Sequence, residues 1–160
     1  MTIESPEIAL NPRFWGEFEH TVDDKGRVVL PQELRAGLGE DFVATRGPDQ
    51  SIYLFPQAVW NLIEAKLNGA LLQRHAGFLQ RLFGGRTICK LDPQFRLAVP
   101  QHLRDWAEVS RSHTAVIMGR GPYVEVWSKH IWDPYCKAGF TADAMYSAVE
   151  GTDLATAVVG

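Results

Sequence analysis

The chain is poor in most features that announce a chemistry. Its 160 residues hold two cysteines, Cys89 and Cys136, too few for a disulfide framework, so a reducing compartment is the default. No apolar run approaches the roughly 18 residues of a membrane span. The opening MTIESPEIAL has neither the basic start nor the apolar stretch of a secretory signal, and the expectation is a cytoplasmic protein with no membrane partner. His20, His75, His102, His113 and His130 show no close zinc spacing with the cysteines. No serine or cysteine nucleophile motif appears, and no carboxylate pair stands out. The expectation is therefore no enzyme, no cofactor, no metal site and no small-molecule substrate. Strong net charge is missing too: at −3, a polyanionic partner has to be met by local concentration of charge.

What is there is ordinary in bulk and uneven in detail. With 46% apolar and 22% charged residues, the chain can bury a core, and its length suits one domain or two very small ones. Residues 74 to 104 carry Arg74, Arg81, Arg86, Lys90, Arg96 and Arg104 against Asp92 alone, a balance of +5. The first 22 residues balance at −3 and the last 24 at −2. Acidic ends mask a basic middle, which is either a solvated helix face or part of a nucleic-acid surface.

The organising feature is an internal repeat. HTVDDKGRVVLPQELR (20–35) and KLDPQFRLAVPQHLR (90–104) align at an offset of 69, matching Asp23/Asp92, Arg27/Arg96, Pro31/Pro100, Leu34/Leu103 and Arg35/Arg104. Each PQxLR segment is followed by an apolar run ending in Arg-Gly-Pro, FVATRGP (42–48) and AVIMGRGP (115–122). Alternating strands come next, SIYLF (51–55) and YVEVW (123–127). Gly and Pro at the junction predict a hairpin in each copy. MGRGP (118–122) lacks the Lys-Ser/Thr ending of a phosphate loop and reads as a hairpin turn. Helices carrying Trp60 and Trp132 follow, the first from Pro56 and the second capped by Ser128.

Each copy thus predicts strand, acidic turn, strand, short helix, hairpin, helix. The boundaries are 13–68 for the first repeat, 69–85 for a linking helix with Leu71, Leu72, Phe78, Leu79, Leu82 and Phe83 at mostly helical spacing, 86–138 for the second repeat, and 139–160 for a tail. The pre-turn strands are expected at 16–22 and 86–91. One copy is too small for a secure core of its own. The two are expected to share one β-rich α+β core about a pseudo-twofold, each supplying strands that the other lacks.

The turns carry the candidate chemistry. In DDKGR, Gly26 permits positive φ. Asp23 is placed to accept turn amides and to pair with Arg27 four residues on, while Lys25 projects from the tip. A fixed guanidinium suits phosphate or a bidentate pair with guanine; the same Asp–Arg pair also serves as a plain staple of a surface turn. The second turn reads Asp92-Pro93-Gln94-Phe95-Arg96, and since bulky residues resist positive φ, it is expected to take another shape. Phe95 is then free to pack against the barrel or between subunits. His102 and Arg104 either touch a phosphate or form a solvated face.

FWGEFEHTVDDKGRVVLPQELR resembles the opening of the MraZ family, with its Phe-x-Gly step, Asp-x-Lys-Gly-Arg turn and following helix start. The second Asp-x-x-x-Arg, the linking helices and the closing EVW also match, so the resemblance spans about residues 13 to 138. It implies an AbrB-like, swapped-hairpin double-split β-barrel with short helices. It also implies a cytoplasmic, nucleoid-associated transcription regulator that assembles into rings. Such a regulator binds repeated boxes of double-stranded DNA upstream of the cell-division and cell-wall gene cluster.

The implied DNA-binding residues are Arg27, Lys25, Arg13, Arg35 and Arg96, with Asp23, Gly26 and Asp92 structuring the turns. Two positions depart from the family pattern: Phe95 replaces a common glycine, and Trp15 stands where many relatives carry Arg, with Arg13 nearby. Copy one is the preferred DNA-reading edge. A ring presenting several such edges gains roughly 10² to 10⁴ in apparent affinity, which suits a near-neutral chain. Two other readings stand beside this one: a protein-binding antidote of AbrB fold, and a structural ring protein with DNA binding secondary.

Overall fold

The computed structural model describes residues 14–74, 76–111 and 113–152; the candidate contact Arg13 lies outside them. In copy one, β1 (Glu17–Thr21) leads through the acidic turn to β2 (Arg27–Val29), α1 (Gln32–Leu38), β3 (Phe42–Arg46), β4 (Ile52–Pro56) and α2 (Gln57–Leu67). Copy two supplies β5 (Thr87–Cys89), β6 (Arg96–Ala98), α4 (Gln101–Ala107), β7 (Thr114–Arg120), β8 (Tyr123–Ser128) and α5 (Lys129–Gly139). Between them, the single linking helix expected from the sequence is two pieces, a 3₁₀ turn at Asn68–Leu72 and α3 at Gly77–Gly84. Gly69 and Gly77 weaken helix propagation there. In the tail, α6 spans Ala142–Val149.

Among the described residues the strands form a six-stranded antiparallel sheet, in order β1-β7-β8-β4-β3-β5, and a separate ribbon of β2 and β6. The pre-turn strands are exchanged: β1 of copy one pairs with β7 of copy two, and β5 of copy two pairs with β3 of copy one. In the ribbon, the equivalent residues Val28 and Leu97 face each other. At the sheet centre the equivalent residues Tyr53 and Glu125 do the same, with Ile52 opposite Val126 and Leu54 opposite Val124. A local twofold therefore passes through both pairs. The architecture is a β-rich, AbrB-like swapped-hairpin arrangement of two repeats.

Side-chain alternation assigns each sheet face its own layer. Phe42, Ala44, Ile52, Leu54, Ala115, Ile117, Val124 and Val126 pack with Val28, Leu30, Leu97 and Val99 of the ribbon region and with Leu34, Leu38, Leu103 and Ala107 of α1 and α4. The opposite face sends Val43 and Phe55 against Val59 and Trp60 of α2 and Leu82 of α3. Trp60 is fully buried, its ring centroid 5.7 Å from Phe55 and 5.2 Å from Phe83. The Thr45 hydroxyl, donating to the Leu82 carbonyl, ties α3 to β3. Leu72 and Phe78, expected on an apolar helix face, are exposed instead.

The chain divides into a body ending at Lys129 and a helical unit from His130 onward. In the latter, the Thr141 hydroxyl accepts the Ala144 amide at 3.2 Å and caps α6, as β-region Thr commonly does at a helix start. No helix among the described residues is long and apolar enough to cross a membrane.

Candidate nucleic-acid interface

The two acidic turns flank the β2–β6 ribbon. In the first, one Asp23 oxygen accepts the amides of Lys25 and Arg27, both at 2.9 Å, and the other accepts Arg27 Nε at 2.8 Å. The Gly26 amide donates to the Asp23 carbonyl at 3.0 Å, and Gly26 sits at φ 72. Local hydrogen bonds of this kind are what make Asp a turn residue. Backbone donation from Arg27 is the largest influence holding the Asp23 carboxyl below its ordinary value. The carboxylate therefore stays charged as the anchor of the turn.

The second turn has the same shape, contrary to the expectation from Phe95. One Asp92 oxygen accepts the amides of Gln94 and Arg96 at 2.9 Å each, and the other accepts Arg96 Nε at 2.7 Å. Asp92, too, is held below its ordinary value, foremost by the Arg96 amide. Phe95 adopts φ 61, a conformation that L residues other than Asn and Asp seldom take. Its half-exposed ring packs against the chain itself through Arg35, whose guanidinium lies 3.6 Å from the centroid. Preference for copy one on grounds of turn shape does not hold. The copies differ in charge instead, with Lys25 exposed at one tip and Gln94 exposed at the other.

Alternation along the ribbon buries Val28 and Leu97 and turns Arg27, Val29, Arg96 and Ala98 to the opposite face. Val29 is 38% exposed. Arg27 stands opposite Ala98 and Arg96 opposite Val29, so the arginines occupy diagonal corners, roughly 7–8 Å apart at the backbone. In each, Asp takes Nε, and among the described residues the two Nη groups have no hydrogen-bond partner, leaving the fork for another acceptor. The ribbon thus puts Arg27 and Arg96 on one face, with Lys25 exposed in the turn beside Arg27.

Arg35 is placed differently. It lies half-buried on α1 with its charge stacked on Phe95. Of the weaker candidates, His102 Nε2 lies 2.8 Å from the Gly85 carbonyl, and Arg104 covers Gly26. That last contact was hidden in the sequence, although its signal is present: the repeated Pro-x-x-Leu-Arg places an arginine directly after a core leucine in both copies.

Competing chemistry is thin. No group of three or more His, Cys, Asp or Glu is arranged to hold a metal ion among the described residues. Burial pushes the Cys89 thiol up to about 11, leaving it protonated and a poor nucleophile at neutral pH.

Known proteins resemble this chain along most of its length. The model of the MraZ protein family matches twice, over residues 14–78 and 82–146. A transcriptional regulator MraZ of Carboxydothermus hydrogenoformans is 38% identical over 138 residues, covering 85% of this chain and 93% of the relative. The transcriptional regulator MraZ of Natranaerobius thermophilus is 42% identical over 124 residues, covering 76% and 85%. That of Symbiobacterium thermophilum is 40% identical over 122 residues, covering 75% and 87%. With two matched repeats and relatives of this identity and coverage, the chain belongs to the MraZ family.

Proposed function

We propose that this protein is a sequence-specific DNA-binding transcriptional regulator, of repressor type, that reads double-stranded DNA with the exposed face of the β2–β6 ribbon and its two turns. The observation that carries this reading is the duplicated turn: two Asp–Arg pairs of the same geometry fix Arg27 and Arg96, each partly exposed, on one face of the ribbon. A two-stranded ribbon fits the major groove of B-DNA, where an arginine fork pairs with guanine. The names of the relatives, transcriptional regulators, support the biological setting.

The ribbon is symmetric in backbone and asymmetric in charge. Lys25 and Gly26 stand in one turn where Gln94 and Phe95 stand in the other, so the two halves of a box are read unequally. Copies arranged head to tail in a ring present this edge in one orientation, which suits direct repeats of a short box. Linked edges raise apparent affinity by roughly 10² to 10⁴, offsetting the net charge of −3. The setting is the cytoplasm and nucleoid, at repeated boxes upstream of the cell-division and cell-wall gene cluster. Arg13 joins the contact set if its side chain reaches the same duplex.

Mobility shift across a salt series tests the reading. Tandem boxes from the protein's own promoter should bind more tightly than scrambled duplex, and binding should weaken as salt rises. Arg27→Ala should lower affinity about ten- to hundredfold, the scale of a lost arginine–guanine pair. Equal affinity for scrambled DNA overturns specificity. Light scattering after size exclusion tests the ring, and a monomer at working concentration removes it.

A further inference from the structure

The left-handed residue of each turn is held from two sides by the other copy. The Gly26 carbonyl accepts the amide of Val99 at 3.1 Å, and the Phe95 carbonyl accepts the amide of Leu30 at 3.0 Å. On the side-chain side, Arg104 of copy two lies against Gly26, where an added Cβ would fall 2.7 Å from its Cζ. Arg35 of copy one lies over the Phe95 ring at 3.6 Å. Both arginines are aimed the same way by their helices. Pro31 and Pro100 start α1 and α4, Leu34 and Leu103 are fully buried as anchors, and the next residue points at the opposite turn. Arg104 Nε is buried and has no hydrogen-bond partner among the described residues. Arg104 Nη2 donates to Gln101 Oε1 on the same helix at 2.5 Å, so part of the fork is already engaged within the protein.

We propose that Arg104 and Arg35 are positioning residues for the DNA-reading turns, each bracing the turn of the other copy by covering its left-handed residue. The proposal rests on the ribbon as the DNA-binding edge and assigns these arginines a role other than phosphate contact. The bracing works through packing and preorganisation. With its αL residue covered and its carbonyl bonded, the turn holds Asp23 and Arg27 in one arrangement before DNA arrives, so less ordering entropy is lost on docking. The crossing makes each repeat incomplete without the other.

The test uses the full chain with Arg104→Ala, Arg104→Met and Arg35→Ala. Amide exchange by NMR, without DNA, should show faster exchange at Gly26 and Arg27 in Arg104→Ala and at Phe95 and Arg96 in Arg35→Ala. Each substitution should loosen the opposite copy's turn. Arg104→Met keeps an unbranched apolar stem over Gly26 and should restore most of the protection. Affinity for box DNA should fall roughly tenfold in Arg104→Ala, with the slope of log affinity against log salt unchanged. Loss of one phosphate contact instead lowers that slope by about 0.9. A lowered slope, loosening confined to a variant's own copy, or an unprotected Arg104→Met overturns the proposal. If the wild-type chain binds no box DNA, the ribbon reading falls, while the exchange pattern still decides the bracing. A global rise in exchange at core β7 and β8 amides marks general destabilisation and counts against a specific brace.

Discussion

The Arg35 guanidinium carbon sits 3.6 Å from the centre of the Phe95 ring, and Phe95 is at φ 61. One contact thus joins the two repeats at a bulky residue held in left-handed backbone. Left-handed backbone costs an L residue about 1–2 kcal/mol, and a cation over a half-exposed ring returns about 0.5–1 kcal/mol.

Phe95→Gly and Phe95→Ala should therefore part company. Glycine relieves the backbone and loses the ring, leaving stability within about 1 kcal/mol of wild type. Alanine keeps the strain and loses the ring, and should be less stable than the glycine variant by about 1 kcal/mol. Urea denaturation of the three proteins checks the order. An alanine variant at least as stable as the glycine one would mean that the position carries no backbone strain.

Acid should loosen the turns. Asp23 and Asp92 are held below their ordinary value, above all by the amides of Arg27 and Arg96. A depressed carboxyl contributes stability that is present above the unfolded value of about 3.9. That stability is lost as pH falls through the lower native value. Carbon-detected NMR titration of the two carboxyls should place both midpoints below about pH 3.9, with the Lys25, Arg27, Gln94 and Arg96 amide signals moving in step. Asp23→Asn should abolish the pH response of the first turn alone. Midpoints at or above the ordinary value would contradict the hydrogen-bond pattern.

Gly119 should tolerate no side chain. The Phe14–Gly16 segment runs beside it, with the Gly119 amide donating to Gly16 at 2.9 Å. An added Cβ would fall 2.5 Å from the Phe14 carbonyl oxygen. Gly119→Ala must push this backbone off the strand and expose Phe14, which is fully buried. A loss of about 2–4 kcal/mol is expected in denaturant unfolding, in the range of severe overpacking and core disruption. Wild-type stability would show that the segment is not held there.

Glu125 is a buried carboxylate at the local twofold, accepting Arg120 Nη1 at 2.8 Å with Trp127 Nε1 at 3.4 Å. Burial and the neighbouring Tyr123 push the opposite Tyr53 hydroxyl up, so it stays neutral beside the acid. Arg120→Ala leaves that charge without its cation. The Arg120 side chain is 61% exposed, so water replaces part of the loss and the expected cost is about 1–2 kcal/mol, below that of a fully buried pair. Arg120→Ala with Glu125→Gln should recover most of it, as a double-mutant cycle would show. Full additivity would rule out coupling.

The repeat was legible because each motif is local. Asp-x-x-x-Arg closes its own turn, Arg-Gly-Pro marks each hairpin, and Pro-x-x-Leu-Arg starts each short helix. The equal shape of the two turns was not legible, because Phe95 alone predicts against positive φ. What overrides that preference comes from Leu30 and Arg35 of the other copy. The linking segment misled in the same way: its apolar spacing suggested one helix, but it forms a 3₁₀ turn and α3 and leaves Leu72 and Phe78 exposed.

Sequence alone determined the elements of each repeat, their doubling, and the residues Asp23, Arg27, Asp92 and Arg96 that pin the two turns, since each depends on neighbours a few positions away. Tertiary structure alone decided which strands are exchanged, where the ribbon puts its arginines, and which helix covers which turn. Those outcomes depend on burying both faces of one shared sheet, and that condition exists only once the two copies have come together.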